Sequence, residues 1–214
     1  MSTTSSLRWR IPLLLAGVLI LAGPQHPRGS TMLQMLGHAD WLPSHVLMTA
    51  SIIAFGVGLA LLRRGQPQPE RTARWLRYAI IATAMQTVEA VVHTAAVVDH
   101  ANLAAGRATP VLTTHLAMAV AVYPLFGAAV VGLIVAAARE RVLGSWWIAW
   151  IGIIGASAHG AAAPLRILTG YEPFSILFAG IVVLALWMAL AGVWPLRAAA
   201  PARRGAPVPA VARN

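Results

Sequence analysis

The chain has 214 residues, 58% of them hydrophobic and only 10% charged, with a formal net charge of +10. A soluble domain carries about a quarter charged residues, whereas here apolar runs of about twenty residues recur, so composition excludes an ordinary soluble fold and points to a polytopic helical membrane protein. All 16 basic residues are arginine and there is no cysteine, which excludes a retinal-type Schiff-base lysine, disulfides, thiol redox chemistry and thiolate metal ligands.

The first apolar segment spans 7–23. Arg8 and Arg10 precede "IPLLLAGVLILAG", which has the form of a signal-peptide core, but "GPQHP" follows, with prolines where a cleavage site needs small residues. The expectation is a retained first helix, barely long enough to span. An outer loop then carries "MLQMLGHAD", with Met32, Met35 and His38 spaced by three. The second span is 41–62 and the third 75–98, with Arg63, Arg64, Arg71, Arg74 and Arg77 around the link between them. The fourth, fifth and sixth are 111–138, 146–165 and 173–194. Residues 1–197 read as one membrane domain. The Pro/Ala/Arg-rich stretch 198–214 reads as a disordered cytoplasmic tail with affinity for anionic lipid.

In this six-span arrangement most arginines fall on one side, and only Arg28, Arg107 and Arg166 on the other. The positive-inside rule then puts both termini in the cytoplasm. The expected fold is an all-α integral membrane protein whose spans two to five form an antiparallel four-helix core. The arginine-only usage fits a GC-rich bacterial genome, and the expected location is a bacterial plasma (inner) membrane. Trp9, Trp41, Trp75, Trp146, Trp147 and Trp194 sit at predicted helix ends as interfacial anchors. The arginines lie between apolar segments rather than on one polar face, so the expected partners are the bilayer and a membrane protein or a second copy of the chain, and not nucleic acid.

This topology places all seven histidines in the outer half: His26, His38, His45, His93, His100, His115 and His159. At about 1.5 Å per residue, His45, His93, His115 and His159 lie on four different helices at nearly one level, on the order of 5–10 Å below the outer interface. "PSHVLMTA" and "TTHLAMAV" begin the second and fourth spans alike, as if spans two-three and four-five were copies of one hairpin. In the third span Thr83, Gln86, Glu89, His93 and His100 form one polar stripe, and such stripes face a bundle interior. Asp99 drops out as an interfacial residue. In the fifth span, "GIIGASAHGAA" surrounds His159 with small residues, and Arg166 extends the same face outward.

Neutral imidazole is the commonest protein ligand for transition metals. One reading is haem b, with His93 and His159 as axial ligands, the small face beside His159 admitting the macrocycle, and Arg166 and Arg107 pairing with propionates. A second is a bare copper, zinc or iron ion held by His45, His93, His115 and His159, with Glu89 as fifth ligand or proton acceptor; Met48 and Met118, each three residues after a histidine, would suit Cu(I). Either gives a redox or metal-handling protein. The arrangement is similar to small b-type cytochromes, in architecture alone. Two readings of other classes stand beside these. A proton-coupled transporter or channel-like protein would use Glu89 and the histidines as a polar path. A structural or assembly subunit would use its buried polar groups only to lock helices together. His93, four residues after Glu89 on the same face, is the expected partner for that carboxylate.

Overall fold

The computed structural model describes residues 3–23, 31–65 and 67–194, with side chains from residue 8 onward. His26, Arg28 and the tail 198–214 lie outside the described residues. The described chain is all-helical. Its helices are α1 (Thr3–Ala22), α2 (Met32–Leu36), α3 (Trp41–Gly65), α4 (Glu70–Ala95), α5 (His100–Ala104), α6 (Pro110–Arg139), α7 (Trp146–Thr169) and α8 (Gly180–Val193). Short 3₁₀ segments, Ala96–Asp99 and Glu172–Ala179, precede α5 and α8.

Five helical segments are long and apolar enough to cross a membrane: Trp41–Gly65, Glu70–Ala104, Pro110–Arg139, Trp146–Thr169 and Glu172–Val193. Inside a bilayer each helix satisfies its own backbone polar groups, which is why helices carry the whole architecture. The expected first span is not among the five. Polar and basic residues, "TTSSLRWR", fill the first turns of α1, and the apolar run left from Ile11 to Ala22 covers only about 18 Å.

α1 nevertheless belongs to the bundle. Six helices pack as a closed circuit in the order α1, α3, α4, α6, α7, α8 and back to α1. Every neighbouring pair is antiparallel, as the contacts show. Thr49 of α3 meets Ala90 and Thr94 of α4, and Gly56 lies lower on Thr83. Glu89 of α4 meets His115 of α6, while Thr72 reaches Glu140 just beyond the other end of α6. Gly127 of α6 crosses Gly160 of α7, and Gly155 of α7 crosses Leu184 of α8. Gly17 of α1 lies on Ala185 and Ala189 of α8, and Ser51 of α3 donates to the Ala16 carbonyl of α1 at 2.7 Å.

The expected four-helix core therefore becomes part of a six-helix circuit. α3 and α7, which would have to pack together to close a four-helix bundle, are not packing neighbours; α8 and α1 fill the gap between them. The reason lies in the small residues. Lipid tails are as apolar as a leucine surface, so helices associate where small side chains let backbones approach. Such residues line the flanks of α1 and α8 at Gly17 and Gly192 as well as α7. The centre is filled: Phe55 of α3 lies edge-on to Phe126 of α6 and Trp187 of α8, at 6.2 and 6.3 Å between ring centroids. One continuous apolar core draws on all six helices, including Trp9, Leu59, Leu76, Leu133, Ile148 and Trp187.

A smaller apolar cluster caps the histidine end. Leu36 of α2, Trp41, Ala96 and Leu112 are buried together, with Met32, Met35 and Leu103 packed on them. Met32 and Met35 thus serve as packing. Trp146 and Trp147 are exposed at a helix end, whereas Trp41 and Trp9 are buried inside the bundle.

Candidate metal centre

The centre is built on α4. Thr83, Gln86, Glu89 and His93 recur at steps of three and four, and all four are buried. The stripe does not continue to His100. α4 gives way to a 3₁₀ segment after Ala95, and His100 turns aside so that its Nε2 covers Gly37 beside α2. Asp99 is buried in the protein, at 2% exposure, and its carboxylate accepts the Leu112 backbone N–H at 2.8 Å. It thereby satisfies one of the orphan amides in the first turn of α6, three residues before His115.

Glu89 is fully buried, and each carboxylate oxygen has a partner. Oε1 lies 2.6 Å from His115 Nδ1, and Oε2 accepts from Gln86 Nε2 at 2.8 Å. The expected partner, His93, does not make this hydrogen bond. Its ring instead stacks on that of His115, with centroids 3.8 Å apart and planes 15° from parallel. The physical reason is the α4–α6 contact: it brings the first turns of α6 alongside Glu89, where a cross-helix imidazole approaches more directly than a ring on the same helix.

Ligand atoms of Glu89, His93 and His115 all lie within 4.8 Å of one another, so this buried group could hold a metal ion. A third imidazole adjoins it. His45 of α3 meets His93 edge-on at 4.4 Å between centroids. Its Nδ1 lies 2.6 Å from the Trp41 carbonyl, which places the proton on Nδ1 and leaves Nε2 as the lone-pair nitrogen. Trp41 stacks over His45 at 4.0 Å and meets His93 at 5.3 Å, roofing the group. Trp41 Nε1 donates to the Thr94 carbonyl at 3.4 Å, and Thr49 Oγ1 pairs with Thr94 Oγ1 at 3.1 Å, clamping α3 to α4 beside the site.

His159 lies elsewhere. Its ring is 4.7 Å from Tyr123 and 6.0 Å from Phe126. Those residues follow His115 on α6 by eight and eleven positions, or roughly 12 Å and more along the helix. The hairpins are thus out of register with each other. His93 faces α3 at His45, whereas His159 faces α6 two turns beyond His115, and the short sequence repeat has no counterpart in side-chain placement. The small face of α7 is occupied as well. A Cβ on Gly152 would strike Trp187, one on Gly155 the Leu184 backbone, and one on Gly160 the Gly127 Cα. These glycines are taken up by helix contacts, and His159 faces Tyr123 and Phe126 rather than His93, so nothing in this arrangement indicates a haem held between His93 and His159. Arg166 bonds to Ser175, the Gly170 carbonyl and Glu172, organising the turn after α7. Arg107 is exposed.

Three contributors to the site escaped the sequence reading. Trp41 looked like an interfacial anchor, Gln86 like one more polar residue of the stripe, and Tyr123, which lies by Gln86 and Glu89, carried no signal that singled it out. Only the pairing of α4 with α3 and α6 reveals them.

The chain matches no protein-family model, no curated protein and no solved structure.

Proposed function

We propose that this protein is a multi-pass protein of the bacterial plasma membrane that binds a transition-metal ion at Glu89, His93 and His115, with His45 as a fourth donor. The observation that carries the reading is the convergence of a carboxylate and two imidazoles from two helices within 4.8 Å, all buried. Ionisable groups at such positions are costly and are kept for function by default. A mixed imidazole and carboxylate set suits zinc, iron(II) or copper(II). Besides serving as a ligand, Glu89 holds Nδ1 of His115, which orients that ring and leaves its Nε2 for the ion. The bundle has six spans in this reading, α1 included, with both termini on the arginine-rich cytoplasmic side. His159 and Arg166 support the helix packing and stand outside the centre.

The test is elemental analysis and an absorption spectrum of the detergent-purified full chain. Near-stoichiometric zinc, iron or copper that is lost in H93A and H115A supports the reading. Metal-free protein that also fails to take up any of these ions on addition overturns it.

One observation favours a second reading, proton-coupled transport. His93 and His115 are stacked nearly parallel, so their in-plane lone pairs do not converge until one ring turns. Protonatable side chains also continue from His45 through His93, His115 and Glu89 to Tyr123 and His159. In that case E89Q abolishes proton flux in vesicles while the protein stays folded; undiminished flux in the variant counts against it.

A further inference from the structure

The opposite end of the bundle holds a second candidate site, independent of the metal reading. Arg71 and His93 are 22 positions apart on α4, about 33 Å, so Arg71 stands at the far membrane surface. There α4 begins beside the end of α6. Arg71, Trp75, Gly132, Val135, Ala136 and Arg139 enclose a cleft of about 250 Å³ between the two helices. Arg71 and Arg139, both exposed, are its two charged lining residues. Its inner wall is apolar, with the Trp75 ring lying so close on Gly132 that a methyl group there would overlap it.

The neighbouring acids are engaged elsewhere. Glu70 pairs with Arg74 at 3.0 Å, and Glu140 accepts from Thr72. No ion pair among the described residues involves Arg71 or Arg139. Two arginines with no carboxylate partner stand at the headgroup level, and Gly132 lies seven residues below Arg139, about 10 Å into the hydrocarbon. Arginine recognises phosphate through paired N–H donors. Basic pockets between transmembrane helices take anionic headgroups, and tryptophan favours this interfacial depth. A free phosphate would leave the apolar wall without an occupant, whereas a lipid fills both parts.

We propose that the cleft between α4 and α6 binds an anionic phospholipid, its phosphate between Arg71 and Arg139 and an acyl chain against Trp75 and Gly132. The test is native mass spectrometry of the full chain in detergent, titrated separately with phosphatidylglycerol, phosphatidylcholine and inorganic phosphate. Phosphatidylglycerol should bind in preference to phosphatidylcholine, and inorganic phosphate should not displace it. At about a fivefold contribution per arginine, R71Q/R139Q should weaken phosphatidylglycerol binding by roughly twenty-five-fold. R63Q/R64Q, which removes two exposed arginines outside the cleft, should bind like the parent protein. Equal binding by the parent and R71Q/R139Q overturns the proposal, as does equal binding of the two lipids or displacement by inorganic phosphate. If the double variant does not fold, the single variants R71Q and R139Q carry the test: about fivefold weakening in each supports the proposal, and unchanged binding in both overturns it.

Discussion

Oε1 of Glu89 on α4 and Nδ1 of His115 on α6 lie 2.6 Å apart, with both side chains buried. This contact joins neighbouring helices through a short hydrogen bond between buried side chains. Gln86 holds the second carboxylate oxygen, so the acid is fixed from both sides. A lone carboxylate at this depth would be costly; the two partners offset that cost and set the geometry for an ion.

Replacing Glu89 therefore separates its structural and chemical roles. E89A leaves the His115 Nδ1 and the Gln86 amide without their acceptor and should cost about 2–4 kcal/mol. E89Q keeps the shape and one acceptor oxygen and should cost less than half as much. Thermal unfolding in detergent, followed by helical circular dichroism, measures the difference. Equal melting temperatures for E89A and the parent would refute the assignment of Glu89 as a buried hydrogen-bond centre.

The histidines should divide into three groups. H93A and H115A are expected to lose bound metal almost entirely. H45A, which removes the fourth donor but leaves the three whose ligand atoms lie within 4.8 Å of one another, should weaken binding without abolishing it. H159A should retain full occupancy, because His159 packs on Tyr123 and Phe126. Metal content by elemental analysis, across a range of added zinc, reads all four. Loss of metal in H159A alone would move the centre to α7.

Asp99 should act on the site at a distance. Its carboxylate caps α6 through the Leu112 N–H, and His115 sits in the next turn. D99A should cost about 1 kcal/mol, the usual value for a lost cap, and D99N about half of that. Amide exchange at residues 111–115 should quicken in D99A and stay unchanged across α7. Uniform exchange in parent and variant would show that the cap does not hold this turn.

The balance between sequence and structure follows from these residues. Periodicity marked the buried stripe of α4, since Thr83, Gln86, Glu89 and His93 share a face of any helix. The helical membrane class followed from apolar run lengths. Depth counting placed His45, His93 and His115 near one another but failed for His159, because residue counts from a helix end ignore how far one helix slides along its neighbour. That slide is set by the Gly127–Gly160 crossing. The partner of Glu89 was equally out of reach, since a local i,i+4 pair is visible in sequence and a pair 26 residues apart is not. "GIIGASAHGAA" could be read as room for a cofactor or as helix contact; only the position of α8 decides for contact.

The same crossing gives the last prediction. A Cβ on Gly127 would lie 2.8 Å from the Ala156 carbonyl oxygen and 2.9 Å from Gly160 Cα. Both are backbone atoms that cannot turn aside as a side chain can, so α6 and α7 would have to part. Overpacking of this kind costs typically 1–3 kcal/mol, and G127V should exceed G127A. Gly106 provides the contrast. It has φ of +64° with nothing within 4 Å of an added Cβ, so G106A carries only backbone strain, about 1 kcal/mol. Since His115 and Tyr123 lie on the same helix as Gly127, G127V should also displace His115 from Glu89 and reduce metal occupancy, whereas G106A should leave occupancy intact. Melting temperature and metal content measured together on the two variants check both halves. If G127V proves as stable and as metal-replete as G106A, the α6–α7 crossing does not set the register of the site.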